Sequence, residues 1–411
     1  MNKINWIIII FTFITCLSCN GIKYYDSYKI TAKEKAIALK KIAKTLRDDG
    51  YAFNQTFDDI DLRLAAYQDL IDTTTTIGSF VSSLKPVFES YGVSHLRIRT
   101  PNQVTNRQKG THVGIGASLV RTDTGYFVSR IVKNGVADLA GIKAGDYLIN
   151  EDNHPITSRR QLKHTLGKVT TIQLKRNHTH KTFKVKYFEH PIFSKDSLYW
   201  HNAEIAVISI NSFRSGTYDK NHVESMFASA NQAKKIVLDL RSNGGGASSN
   251  LKHLLSMIIP SNVICQYFIY RKDHEGFVKE FQRHPHSFKE LVNYSKRTFK
   301  PAFRFWWNKR YQGDIVVIID ENSGSAADIF PACVKDLKRG TIIGKKSIGH
   351  VLFGEVKTLN MGMDLLYPHG EAVRLNKTIN LEGHGCKPDI VFSREKTANT
   401  AFIYQFITDQ M

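Results

Sequence analysis

The sequence predicts an α+β multidomain protein. Apolar residues recur at helical spacing between residues 31 and 88. Short strand patterns broken by glycines fill the interval from about 105 to 187. From Ile205 onward short apolar strands alternate with helical stretches, the pattern of an α/β domain. The chain has 411 residues, 42% hydrophobic and 23% charged, an ordinary globular composition with length for two or three cores. A formal net charge of +20 is less ordinary and favours acidic partners in general. The lysines are scattered along solvated faces, and no dense basic run with interleaved aromatics accompanies them. No nucleic-acid partner is expected.

At the amino terminus Met1-Asn2-Lys3 precedes an apolar run from Ile4 to Leu17. It is short for a membrane span and has the form of an export signal. It ends in Cys16-Leu17-Ser18-Cys19, which resembles a bacterial lipobox, with Cys16 where that pattern has Leu. Residues 1–19 form the lipoprotein signal segment, and Cys19 at its end is then expected to be the lipidated first residue after cleavage. The anchor would hold the protein on the periplasmic or surface face of a bacterial membrane. A tether and helical region follow over residues 20–104. Ala32, Ile37, Ala38, Leu39, Ile42, Ala43 and Leu46 form one helical face, and residues 62–71 and 77–88 read as further helices.

Residues 105–190 form a β module with strand patterns at 126–131 and 147–150. Residues 191–411 make the α/β domain, with strands at 205–210, 236–240, 315–319 and 341–344. The interval from Cys265 to Lys309, which contains Phe303-Arg304-Phe305-Trp306-Trp307, reads as an insertion or cap over a site, for gripping substrate or for packing. Cys265, Cys333 and Cys386 are widely spaced with no CxxC, so they make neither a disulfide framework nor a metal site and read as buried apolar positions.

Two segments carry chemistry. In the first, the strand Val316-Val317-Ile318-Ile319 runs through a polar turn to Ser325, which opens an apolar-periodic stretch. A hydroxyl at a strand-to-helix junction is held rigidly beside N–H groups with no intrahelical partner, as a serine nucleophile requires. A plain N-cap is the simpler use of such a serine. The second segment, Asp239-Leu240-Arg241-Ser242-Asn243-Gly244-Gly245-Gly246, follows another buried strand. Three glycines allow close backbone approach to a ligand, and the absence of a following Lys-Ser/Thr argues against a P-loop.

Together these segments resemble peptidase family S41, the C-terminal processing or tail-specific serine proteases. Residues 239–246 match its D-L-R-x-N-x-G-G run, and Ser325-Ala326-Ala327-Asp328 stands where the family has S-A-[SA]-E, with Asp in place of Glu. Leu381-Glu382-Gly383-His384-Gly385-Cys386-Lys387-Pro388-Asp389 matches E-G-x-G-x-x-P-D. Gly135 to Asp146 resembles the PDZ consensus around S-P-A-x-x-A-G-I-x-x-G-D. The resemblance implies a ClpP/crotonase-like catalytic domain, a serine endopeptidase acting on peptide or protein substrates, and no cofactor. It implies Ser325 as nucleophile, an oxyanion hole from the N–H groups of Gly244 or Gly245 and of Ala326, and a loop at Gly114, Ile115 and Gly116 for a peptide's terminal carboxylate.

The base is less direct. The Ser/Lys members carry a lysine where this chain has His350, and Lys345 and Lys346 are expected to point elsewhere. The tricorn-like branch instead uses a histidine from an S-H pair ahead of the PDZ module, and Ser94-His95 is such a pair. Glu382 stands where that branch has its glutamate. His95 is the preferred base, oriented by Ser94 and Glu382, with His350 as the other candidate. No His-Glu-x-x-His is present, so no metal is expected. The missing lysine and Asp328 also admit a catalytically silent peptide- or ligand-binding lipoprotein on the same scaffold.

Overall fold

The structure, a computed structural model, describes residues 24–410 except 54, 160, 163, 304–309 and 378–380. The export signal, Cys19 and the run Arg304-Phe305-Trp306-Trp307 lie outside the described residues.

A six-stranded sheet forms the centre of the carboxyl-terminal half. Its order is Ser197–Trp200, Ile205–Ser209, Lys235–Asp239, Asp314–Ile319, Thr341–Gly344, Ile390–Val391, antiparallel at the first pair and parallel thereafter. Parallel strands covered on both faces are apolar throughout, and all five residues of Lys235–Asp239 are buried. Strand alternation sends Ile236, Leu238, Val317 and Ile319 into a core with helices Ser248–Ser256 and Ala326–Asp336. Val237, Val316 and Ile318 pack on the opposite face against Ile403 and Ile407 of helix Thr400–Gln410. Strands Lys235–Asp239 and Asp314–Ile319 are neighbours, so the turns that follow them leave the same edge of the sheet side by side.

A second, antiparallel sheet is organised on the long strand Asp364–Val373, which pairs with Arg97–Arg99, Gln266–Tyr270 and Phe353–Thr358. This changes the reading of residues 265–309. Gln266–Tyr270 is an integral strand, and the helices Arg271–Phe281 and Phe288–Ser295 pack behind it through Ile269, Phe277, Leu291, Val292 and Val373. The described part of the interval is wall rather than a lid laid over the domain.

The amino-terminal helix Ala32–Asp49 starts at a Thr31/Glu34 capping box. Each of the next two expected helices is broken in two: Ile60–Ala65 with Gln68–Asp72, and Ile77–Ser83 with Lys85–Glu89. Pro86 explains the second break, because it lacks an N–H and is tolerated only in a first turn. These helices have no core of their own. Ile42, Leu46, Phe80 and Val87 share one with Ile98 and with Leu359, Met363, Leu365 and Tyr367. The β module is an antiparallel sheet in the order Ala117–Thr122, Gly125–Ile131, Tyr147–Glu151, Val169–Arg176, Thr179–Lys186, with its own core around Val128, Leu148, Ile172 and Leu174.

Candidate active site

Ser325 ends the turn after strand Asp314–Ile319 and precedes helix Ala326–Asp336, at φ 55°, ψ −117°. A serine in this region costs on the order of 1–3 kcal/mol and persists only where its surroundings impose it. They do so here. The Asp328 carboxylate accepts the Ser325 N–H at 2.8 Å and the Gly349 N–H at 3.1 Å, and burial pushes its carboxyl up to about 6. The turn is also laced to the glycine loop. Ser242 N–H and Oγ donate to Asp320 at 2.8 and 3.0 Å, Ser323 Oγ donates to the Leu240 carbonyl at 2.9 Å, and Gly324 N–H donates to the Asn243 carbonyl at 2.9 Å.

Gly245 lies directly on this turn. At φ 84° a Cβ there would fall 2.6 Å from both the Gly324 oxygen and Ser325 Cβ, so no other residue fits. Its N–H is already spent on Asn243 Oδ1 at 2.9 Å. The N–H groups of Gly244 and of Ala326, the first residue of its helix, have no hydrogen-bond partner among the described residues. Of the expected oxyanion donors, then, Gly245 shapes the loop while Gly244 and Ala326 have N–H groups to offer. Asn243, fully buried with its Nδ2 on the Ile210 carbonyl at 2.8 Å, sets this division and was not singled out in the sequence. The N of D-L-R-x-N-x-G-G was the available signal.

Ser94, His95 and Glu382 meet in one chain of hydrogen bonds. Glu382 accepts Ser94 N–H at 2.8 Å, Ser94 Oγ at 2.9 Å, Val351 N–H at 2.8 Å and Leu352 N–H at 3.2 Å. Ser94 Oγ lies 2.9 Å from His95 Nδ1. A hydroxyl has one proton to donate, and this one goes to the carboxylate. His95 Nδ1 must therefore carry the proton between it and Ser94, which leaves the lone pair on Nε2. His95 is held at φ 59°, with its ring packed on Gly354, where a Cβ would approach Cδ2 to 2.9 Å. Burial, and then the charges of Arg97 and His350, push its imidazole down to about 4.

His95, Ser325, Ala326 and the three glycines line one cleft of about 660 Å³. His350 is exposed and is not part of that lining, although its charge reaches His95. Lys345 turns away to Glu321 at 3.3 Å. In the β module the carbonyls of Ile115 and Gly116 accept from Ala137 N–H and Val132 N–H at 2.7 and 2.9 Å, and that of Gly114 lies 3.0 Å from His190 Nε2. None of their three N–H groups donates to a described residue. The outer edge of strand Ala117–Thr122, which follows this loop, pairs with no other strand. The module also touches the catalytic turns: Arg130 Nη1 donates to the Arg241 carbonyl at 2.6 Å, and Asn322 Nδ2 donates to Ser129 Oγ at 2.9 Å. The three cysteines are free and buried in one core.

Residues 204–392 match the family model for peptidase family S41, and residues 113–187 match that for the PDZ domain. The chain is 23% identical over 380 residues to a protein of Staphylococcus epidermidis named "Probable CtpA-like serine protease", covering 89% of this chain and 67% of that one. A Staphylococcus aureus protein of the same name is 24% identical over 331 residues, 78% of this chain and 60% of its own length. Among solved structures, the photosystem II D1 C-terminal processing protease aligns at a TM-score of 0.61 with 14% identity, over 93% of this chain and 98% of that one. Mature CPAF complexed with lactacystin aligns at 0.57 with 13% identity, over 92% and 98%. These structures share the fold. The family matches and the curated relatives identify the chain as a PDZ-containing member of peptidase family S41, a serine-type peptidase.

Proposed function

We propose that the protein is an endopeptidase of the bacterial cell envelope, tethered by a lipid on Cys19, that recruits peptide or protein substrates through its PDZ module. The observation that carries the catalytic part is the hydrogen-bond chain Glu382–Ser94–His95, which leaves His95 Nε2 unprotonated in the cleft that Ser325 lines. Ser325 Oγ attacks the substrate carbonyl and its proton passes to Nε2. The N–H groups of Gly244 and Ala326 donate hydrogen bonds to the oxyanion. Collapse of the tetrahedral intermediate breaks the C–N bond, and His95 returns the proton to the leaving amine. Water, deprotonated by the same imidazole, then releases the acyl group. Glu382 and Ser94 hold the ring and its tautomer throughout. The unspent N–H groups at 114–116 would take a substrate's terminal carboxylate, and the unpaired edge of Ala117–Thr122 would pair with its backbone.

A serine-directed fluorophosphonate should label the wild type and leave Ser325→Ala unlabelled. A folded wild type that resists labelling would point to a binding protein instead. For the anchor, cells fed a fatty-acid analogue should incorporate it into the wild type and not into Cys19→Ala. Equal incorporation would remove the lipoprotein reading.

A further inference from the structure

The catalytic cleft is strongly and specifically basic. Four arginines line it, Arg97, Arg99, Arg107 and Arg214, and among its described lining residues Asp364 is the one carboxylate. Alternation along the strand Arg97–Arg99 places two of them: Ile98 faces the helical core, and its neighbours face the cleft. Arg99 Nε already holds Asp364 at 2.6 Å, across the strand pair in which the two residues are opposite. Arg99 is only 7% exposed, and its Nη2 has no hydrogen-bond partner. Arg97, Arg107 and Arg214 have no ion-pair partner among the described residues, and Arg214 instead lies over the Phe193 ring at 4.8 Å.

Elsewhere unpaired guanidinium groups are scattered singly: Arg121, Arg159 and Arg339 each donate to backbone carbonyls. Arg176, Arg241, Arg374 and Arg394 each sit on a carboxylate. What sets this cleft apart is the gathering: four arginines from separate segments of the chain meet beside Ser325, with one carboxylate among the described residues there. Burial, and then the charges of Arg107, Arg97 and Arg99, push Arg214 down to about 10. It stays protonated at neutral pH, so the wall carries fixed positive charge that Asp364 offsets only at Arg99, with donors to spare.

We propose that the cleft selects substrates that place a carboxylate on the arginine wall formed by Arg97, Arg99, Arg107 and Arg214 beside His95. The inference rests on the peptidase reading of this cleft. The carboxylate has two sources in a peptide: an acidic side chain near the scissile bond, or the terminal carboxylate of a chain that ends there. Guanidinium groups suit either through paired N–H donors.

The test uses three peptides of one core sequence: a neutral one with Gln and an amidated terminus, one with Glu in place of Gln, and one with Gln and a free terminus. A carboxylate-bearing peptide should show kcat/KM about 10- to 100-fold above the neutral one, the range of a charge-assisted contact. The arm that shows the gain identifies the source. The ratio should fall toward one in Arg107→Gln and Arg214→Gln, survive largely in Arg107→Lys, and shrink with added salt. A wild-type ratio of one in both arms, or a ratio that persists in the Gln variants, overturns the proposal. If no peptide is cleaved, the peptidase reading fails, and the ratio of peptide affinities to Ser325→Ala, read by fluorescence anisotropy, still decides the arginine wall.

Discussion

A histidine can take a proton from a serine at neutral pH only if its ring is neutral and its free nitrogen is aimed. His95 meets the first condition, and its unprotonated Nε2 belongs to the cleft that Ser325 also lines. Burial and the charges of Arg97 and His350 push it down to about 4, and Ser94 with Glu382 sets the tautomer. A base depressed in this way is competent above its pKa and is lost only as pH falls through it. With the neutral peptide, kcat/KM should therefore hold through pH 6 and decline below roughly 5, rather than near the ~6.5 of an unperturbed imidazole. Arg97→Gln removes one of the charges that depress His95 and should move the acid limb upward. An acid limb centred at or above 6.5 in the wild type would contradict this account. His95→Ala should slow acylation at least about a hundredfold, and Ser94→Ala about 10- to 100-fold, as expected for losing a base and the group that orients it. The pair Ser94-His95 was visible in the chain as an S-H dipeptide. Its proton route was not, because it depends on which oxygen of a glutamate 288 residues away the hydroxyl reaches.

At the scale of elements, the proposed mechanism depends on two turns that leave adjacent parallel strands and are tied together by backbone and serine hydrogen bonds. Gly245→Ala should therefore damage more than loop flexibility. Its Cβ would meet Ser325 Cβ and the Gly324 oxygen, and its positive φ adds strain. Labelling of Ser325 should fall about 100-fold or more, comparable to losing an oxyanion donor. A Cβ at Gly244 meets nothing within 4 Å, so Gly244→Ala should keep the fold and label far better. Equal behaviour of the two variants, measured as labelling rate at matched thermal stability, would show that the turns do not press on each other as described. The glycine triplet announced a close approach. Which glycine keeps a free N–H was hidden, because the answer lies in the side chain of Asn243.

At the scale of the molecule, residues 24–100 and the catalytic half are one packed body. Phe80 is fully buried in a core that includes Ile98, three residues after His95, and Leu365 of the strand that pairs with it. Phe80→Ala should cost about 3–5 kcal/mol, and the loss should appear in the same thermal transition that ends Ser325 reactivity. Helices that melted well before reactivity was lost would show that the shared core does not hold His95. The strand and helix periodicities, the serine turn, the glycine loop, the S-H pair and the β module were all determined by the sequence by itself, because each is a local pattern of apolar spacing, turn residues or short motif. Only the tertiary structure decided that the interval after Cys265 opens with a strand of the second sheet backed by two helices, that the helical region borrows its core from residues 359–367, and that four separate arginines share one cleft with Ser325. The physical reason is that burial, free hydrogen-bond donors and unmatched charge belong to surfaces brought together from distant parts of the chain, and no local window contains them.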